Sequence, residues 1–169
     1  MVKYSAQRGV GLMEVLVALV LLAVAVLGFS VLQVRGMDAS QEASDRTAAM
    51  NVARDLAERI RINRNGLATY KQAINGNANV TGCVGTTQSY LPNCSSTRMA
   101  QFDATEVLAK AELLGQRLVI DDCVGSNLQC IYVAWGKTEI AEGDLVSCID
   151  AGGVYVVDSR CLVMEAFPL

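Results

Sequence analysis

The sequence predicts an α+β protein, with a long N-terminal α-helical spine packed on a small antiparallel β-sheet head that carries one further helix. Three observations carry this. An uncharged run at residues 15–32 leads without a helix breaker into a polar, helix-forming stretch that ends near residue 65. The second half holds short β-branched or alternating runs set between Gly, Asn and Asp turns. All six cysteines, Cys83, Cys94, Cys123, Cys130, Cys148 and Cys161, lie in that half. A chain of 169 residues leaves room beyond the spine for one modest core, and a core that small gains from covalent staples.

The elements follow in chain order. Residues 1–9 are polar and contain Lys3 and Arg8 but no acid. Residues 10–13 and 15–32 then form one apolar run interrupted by a single charge, Glu14. Its length suffices to cross a hydrocarbon core, which takes about 20 residues. The basic flank predicts that the N-terminal end stays in the cytoplasm and the remainder is exported. An ordinary secretory signal fits poorly, because its apolar region is shorter and ends at a small-residue cleavage site. A plain signal anchor fits the length but gives no reason for Glu14, since a carboxylate near the end of a spanning helix is costly. Residues 10–35 are therefore read as a transmembrane helix.

Residues 36–65 continue the spine as an amphipathic half. Ala49, Val52, Ala53, Leu56 and Ile60 recur at helical spacing and mark a narrow apolar face that lies against the head. Asn65-Gly66 is expected to end the helix, with Gly66 in a left-handed conformation after the C-cap. Arg54, Arg59, Arg61 and Arg64 gather near that end as a solvated face that also suits the helix dipole. Residues 66–169 form the disulfide-stabilised head. Within it 66–95 reads as a loop pinned by Cys83 and Cys94, and 96–114 as a helix with Val107, Ala111 and Leu114 on one face, stopped by Gly115. Asp103 and Glu106 have capping-box spacing, which would place the helix start later. Strands are expected at 117–121, 129–135, 145–149, 154–157 and 161–167, joined by short connections as an antiparallel meander.

An even set of cysteines behind an export signal points to disulfides in an oxidising compartment. Six cysteines allow many pairings. Nearest-neighbour pairing would give Cys83–Cys94, Cys123–Cys130 and Cys148–Cys161, each stabilising by roughly 2–4 kcal/mol if unstrained. With no histidine and no Cys-x-x-Cys, zinc and thioredoxin-like sites are not indicated, and no metal or cofactor is expected. The formal net charge is −3, from 14 basic and 17 acidic side chains. Removal of a leader carrying Lys3 and Arg8 takes two basic groups and leaves −5. Such a balance argues against nucleic-acid binding, which needs a basic surface.

Arg8-Gly9-Val10-Gly11-Leu12-Met13-Glu14 resembles the processing motif of type IV prepilins and type II secretion pseudopilins. The resemblance implies a pilin-like fold, a peptidase cut between Gly9 and Val10, N-methylation of Val10, and Glu14 as the fifth mature residue. Val10 departs from the commoner Phe, but the Gly and Glu spacing holds, whereas a cut after Gly11 would place Glu14 third. Four residues of helix rise about 6 Å, so Glu14 lies one turn from the amine that cleavage frees. Between axially shifted helices, one subunit's Glu14 can then face its neighbour's Val10 ammonium, and the pair rewards correct register.

Further stretches are similar to PilV-type minor pilins: Glu14-Val-Leu-Val-Ala-Leu-Val, the spine ending at residues 57–66, the cysteine-flanked loop, and Tyr132-Val-Ala-Trp135. The GspI-type minor pseudopilin of type II secretion shares the same start. The resemblance implies a non-catalytic subunit that helps initiate a type IV pilus, at its tip. Its expected partners are prepilin peptidase, other minor pilins, the major pilin, an adhesin-like tip protein and the inner membrane. The head would face the periplasm before assembly and stand outside the cell in the pilus. A membrane-anchored periplasmic enzyme is the rival class. The head offers it no phosphate loop and no nucleophile motif. Asp121 and Asp122, as adjacent strand residues, would point to opposite faces, and no EF-hand-like spacing supports calcium there.

Overall fold

The computed structural model describes residues 11–83 and 94–168. The chain divides into two compact units, Met1–Ala43 and Ser44–Leu169, and one long helix contributes to both. That helix, α1, spans Leu12–Ile62. After a 3-10 turn at Arg64–Gly66 come α2 (Leu67–Asn75), α3 (Ser96–Leu113), β1 (Gln116–Asp122), β2 (Leu128–Trp135) and β3 (Cys161–Pro168). The strands form one antiparallel sheet in the order β1-β2-β3. This is the α+β, pilin-like architecture expected.

The second unit is built in layers. On one face of the sheet Leu118, Ile120, Ile131, Val133, Trp135 and Leu162 pack with the helices. The spine contributes Ala49, Val52, Ala53, Leu56 and Ile60, all buried. These are the five positions that the 3.6-residue period picks out, because a helix buries one stripe and solvates the rest. The other face, with Val119, Cys130, Tyr132 and Ala134, is covered by the long β2–β3 connection, which brings Ile140, Cys148 and Ile149. With both faces covered, β2 is buried almost continuously from Gln129 to Trp135. A central strand of that kind reads as an unbroken apolar run.

Several expectations need correction. Residues 67–75, taken for loop, form α2, in which Tyr70, Ala73 and Ile74 are buried against the core. Gly66 is not a left-handed C-cap residue. Its φ is −94°, and it serves as N-cap of α2. A Cβ there would lie 2.7 Å from both Asn63 Nδ2 and Ser96 O, so glycine is required by close approach. Helix α3 starts at Ser96, because the Ser95 hydroxyl accepts from Arg98 N at 3.2 Å as a true N-cap. Asp103 is therefore mid-helix and caps nothing. Leu114 lies beyond the buried face and is exposed, while Gly115, at φ +65°, does stop the helix.

The stretches 145–149 and 154–157 are not strands. Only a single bridge, Ile149 to Tyr155, joins them. Their β-branched composition is overridden by tight turns. The Asp150 carboxylate accepts from Gly152 N and Val154 N at 2.8 and 2.9 Å, and Asp158 adopts φ +61°. The β2–β3 connection is consequently long, running from 136 to 160.

Candidate functional site

The first candidate is the N-terminal end of α1. Its opening turn is fixed by Gly11 O, which accepts from Glu14 N at 2.9 Å and from Val15 N at 3.3 Å. Glu14 is exposed and forms no ion pair among the described residues. From Leu12 to Met37 the large apolar side chains all lie on the surface, and Val15, the least exposed, still shows 48% of its area. Among the described residues α1 is the one helix long and apolar enough to cross a membrane. A polar side chain within this run satisfies itself internally, as Ser30 Oγ donates to Val26 O at 2.9 Å. Gly28 has nothing within 4 Å of where a Cβ would stand, so its presence answers no local packing need. Gly9 and Val10, the processing pair read from the sequence, lie outside the described residues.

The second candidate is the head's polar interior, which joins residues far apart in sequence. Tyr70 is fully buried, and its hydroxyl donates to Asp103 Oδ2 at 2.5 Å. Arg59 Nη1 donates to Asp103 Oδ1 at 2.7 Å and Arg59 Nε to Asp55 Oδ1 at 2.9 Å. Lys110 Nζ completes the set on Asp55 Oδ2 at 3.1 Å. Burial, helped by the Asp103 carboxylate, pushes the Tyr70 hydroxyl pKa well above the ordinary tyrosine range. Burial alone would raise the Asp55 pKa, but the bonds from Arg59 and Lys110 outweigh it and hold the carboxyl below its usual value. The network ties α1, α2 and α3 together. Arg59 is thus half-buried within this network, whereas Arg54, Arg61 and Arg64 remain exposed.

A third cluster surrounds Lys71, whose Nζ lies 3.0 Å from Asp121 Oδ1, 3.7 Å from Asp122 Oδ1 and 3.9 Å from Glu142 Oε1. Asp121 also accepts from Gly143 N at 2.7 Å, and these bonds overcome its burial to lower its pKa. Asp122 accepts in addition from Gln129 Nε2. Although adjacent strand residues alternate faces, both carboxylates reach one lysine because they sit at the strand's end. Among the described residues no group of His, Cys, Asp and Glu is arranged to hold a metal ion.

The six cysteines form three disulfides between nearest neighbours: Cys83–Cys94, Cys123–Cys130 and Cys148–Cys161. The first tethers the segment after α2 to the start of α3, the second crosses the β1–β2 hairpin, and the third closes the β2–β3 connection onto β3. Sequence reasoning missed the Tyr70–Asp103–Arg59 network. The one available signal was an acid at a position whose neighbours, Ala100, Ala104 and Val107, are all apolar.

Comparison with known families places the chain in context. Residues 31–105 match the family model described as Tt1218-like, type IV pilin Tt1218. Residues 4–30 match the prokaryotic N-terminal methylation motif. The two matches abut, and together they run from the basic leader into the middle of α3. No curated protein and no solved structure matches the chain.

Proposed function

The chain is a type IV pilin-like prepilin, and on that premise we propose that it is a minor pilin of PilV type, a non-catalytic subunit that helps initiate a type IV pilus. The methylation motif implies processing by a prepilin peptidase and assembly with other pilins. In the proposed sequence of events the chain enters the inner membrane through residues 10–35 and is cut between Gly9 and Val10. The new Val10 amine is methylated, and the chain then joins other minor pilins and the major pilin by side-to-side packing of α1. Its head would face the periplasm first and stand on the outside of the filament afterwards, at the tip, where an adhesin-like protein is a further partner.

One observation carries this reading: Glu14 stands alone in the first turn of a helix whose apolar surface is bare for some seven turns. A bare apolar face needs lipid or other helices to cover it. A lone carboxylate within such a face needs a cation once the face is covered, because an unpaired buried charge is strongly disfavoured. The Val10 ammonium of a neighbouring subunit would supply it. The head supports a non-catalytic role through the use its polar groups are put to, since Asp55, Asp103 and Asp121 are held by Arg59, Lys110 and Lys71 in pairs that join elements.

Glu14→Ala tests the reading. In isolation the substitution eases membrane insertion by removing a costly charge. In assembly it leaves a neighbour's amine unpaired, a loss of roughly 3 kcal/mol. Membrane levels and head oxidation should therefore stay normal, while recruitment into sheared filaments and co-purification with other minor pilins fall by about a hundredfold at that energy. Assembly at the unsubstituted level would show Glu14 to be a solvated interfacial charge and remove the pairing role.

A further inference from the structure

Edge strands present unpaired main-chain donors and acceptors, and folded proteins close them off. Here the closure of each edge can be read residue by residue. On β3, Val163 N donates to Tyr155 Oη at 3.1 Å. On β1, Asn75 acts as a one-residue strand, its Nδ2 donating to Ile120 O at 2.9 Å and its Oδ1 accepting from Ile120 N at 3.0 Å. The Ile120 main chain therefore faces away from β2. Antiparallel pairing alternates with period two, so the amides and carbonyls of Leu118 and Gln116 face the same way. Among the described residues nothing closes the outward groups of Leu118 as Asn75 closes Ile120.

A cavity of about 770 Å3 lies against this open stretch, walled by α2, by Thr105, Leu108, Ala109 and Glu112 of α3, and by residues 140–142. Its volume is that of a peptide or ligand cleft. Gln116 lines it and is only 5% exposed. The Gln116 Nε2 donates to Asp45 O at 3.2 Å, but its buried Oε1 has no partner. A buried acceptor without a donor is costly, and each such group in a folded protein calls for an explanation. Glu112 and Glu142 stand on two walls of the cavity. Arg117 beside them is engaged by Glu139 at 3.3 Å, and Lys71, 3.9 Å from Glu142, is shared with Asp121 and Asp122, so carboxylates outnumber cations there. The mouth is therefore acidic.

We propose that this groove is a strand-acceptor site, in which a short extended segment of a partner protein adds to the edge of β1 at Gln116–Leu118. The main-chain groups of Leu118 require a donor and an acceptor spaced as a strand presents them, which selects a peptide over a small anion or an apolar ligand. Asn75 ends the open stretch at Ile120, so only about three to five residues of partner can pair, at about 3.3 Å per residue. The segment's flanking side chains are basic to match Glu112 and Glu142. Ala109 and Ala111 keep that wall low, leaving space for the incoming chain. The site belongs to the head alone and stands whether or not the chain is a minor pilin.

The test uses the full oxidised chain in detergent micelles and the peptide acetyl-Lys-Val-Ser-Val-Lys-amide. Its control is the same peptide N-methylated at the amides that would face β1. Residue-resolved hydrogen exchange is the readout. The peptide should slow exchange at the Leu118 and Gln116 amides by about tenfold or more, leave β2 unchanged, and lose the effect on N-methylation. Ala109→Trp, at an exposed position on α3, should abolish that protection while β2 exchange and the three disulfides persist. Equal protection by the N-methylated peptide, full protection of Leu118 before any peptide is added, or no protection at millimolar peptide would each overturn the proposal. So would unaltered binding to Ala109→Trp.

Discussion

Leu22 and Leu56 lie on the same helix and are the same residue, yet the first is 60% exposed and the second wholly buried. Leu56 has its partners within the chain: α2, α3 and one face of the sheet enclose it, and burial of such a side chain stabilises by roughly 1.5–3 kcal/mol. Leu22 belongs to a run whose apolar surface finds no cover within the first unit. The difference teaches that hydrophobicity along α1 encodes two separate events. From Ala49 to Ile60 it encodes folding of the head. From Leu12 to Met37 it encodes a later association with lipid and with other helices, which the folded chain by itself leaves unmade.

The comparison can be broken most severely at Gly9. If the first half of α1 serves assembly, replacing Gly9 with Leu should block processing altogether, leaving a chain that starts at Met1 by N-terminal mass spectrometry while the head stays oxidised and folded. Normal cleavage of Gly9→Leu would undo the placement of the cut. A matched pair of substitutions sharpens the contrast further. Leu56→Ala should lower head stability by about 3 kcal/mol in denaturant titration. Leu22→Ala should change it by less than about 0.5 kcal/mol, the range of surface positions. A shift at Leu22 comparable to that at Leu56 would mean that the first unit contributes to the fold of the second.

The smallest effect expected is in pH. Asp55 and Asp121 titrate below their ordinary values in the folded head. The stability they supply is present above about pH 4 and is lost as pH falls through their folded values. Tyr70, Lys71 and Tyr132 titrate above theirs, so their contribution is present below about pH 10 and is lost as pH rises through the folded values. Urea midpoints of the head should be flat near neutrality and fall on both sides. Membrane association of the first unit, which rests on apolar area, should not follow that curve. A midpoint that rises on acidification would contradict the carboxylate pairs.

How much of this was legible in the sequence depends on the range of the physics involved. The buried stripe of α1, the body of α3 and the strands at 117–121, 129–135 and 161–167 follow from local period and turn chemistry, and they appear where expected. Helix α2 did not, because nine residues that include Thr69, Tyr70 and Asn75 are too few and too weakly helical to stand out from the Asn- and Gly-rich tract around them. It exists because Tyr70, Ala73 and Ile74 are buried by elements distant in sequence. Gly66 was read as a conformational device when the need is for space beside Ser96 O. The Val154–Val157 run has strand composition but no neighbouring strand to pair with, and composition cannot supply one. The N-terminal methylation motif that contains Glu14 was readable because its signal is contiguous. Asp103 was not, since Arg59 lies 44 residues away.

The placement of the three disulfides has a mechanical consequence. A filament subunit is loaded by pulling, and the load enters the head through α1. Each covalent ring withholds from extension the chain it encloses, at roughly 3.3–3.6 Å per residue, and the rings span sequence separations of 11, 7 and 13. All three lie beyond α2. The segment from Ser44 to Asn75 has no crosslink and is held by noncovalent contacts, the Leu56 core and the Arg59–Asp103 and Lys71–Asp121 pairs among them. Under tension this part yields first and lengthens, while the three ringed connections hold their length, so compliance and stiffness are divided along the head's sequence.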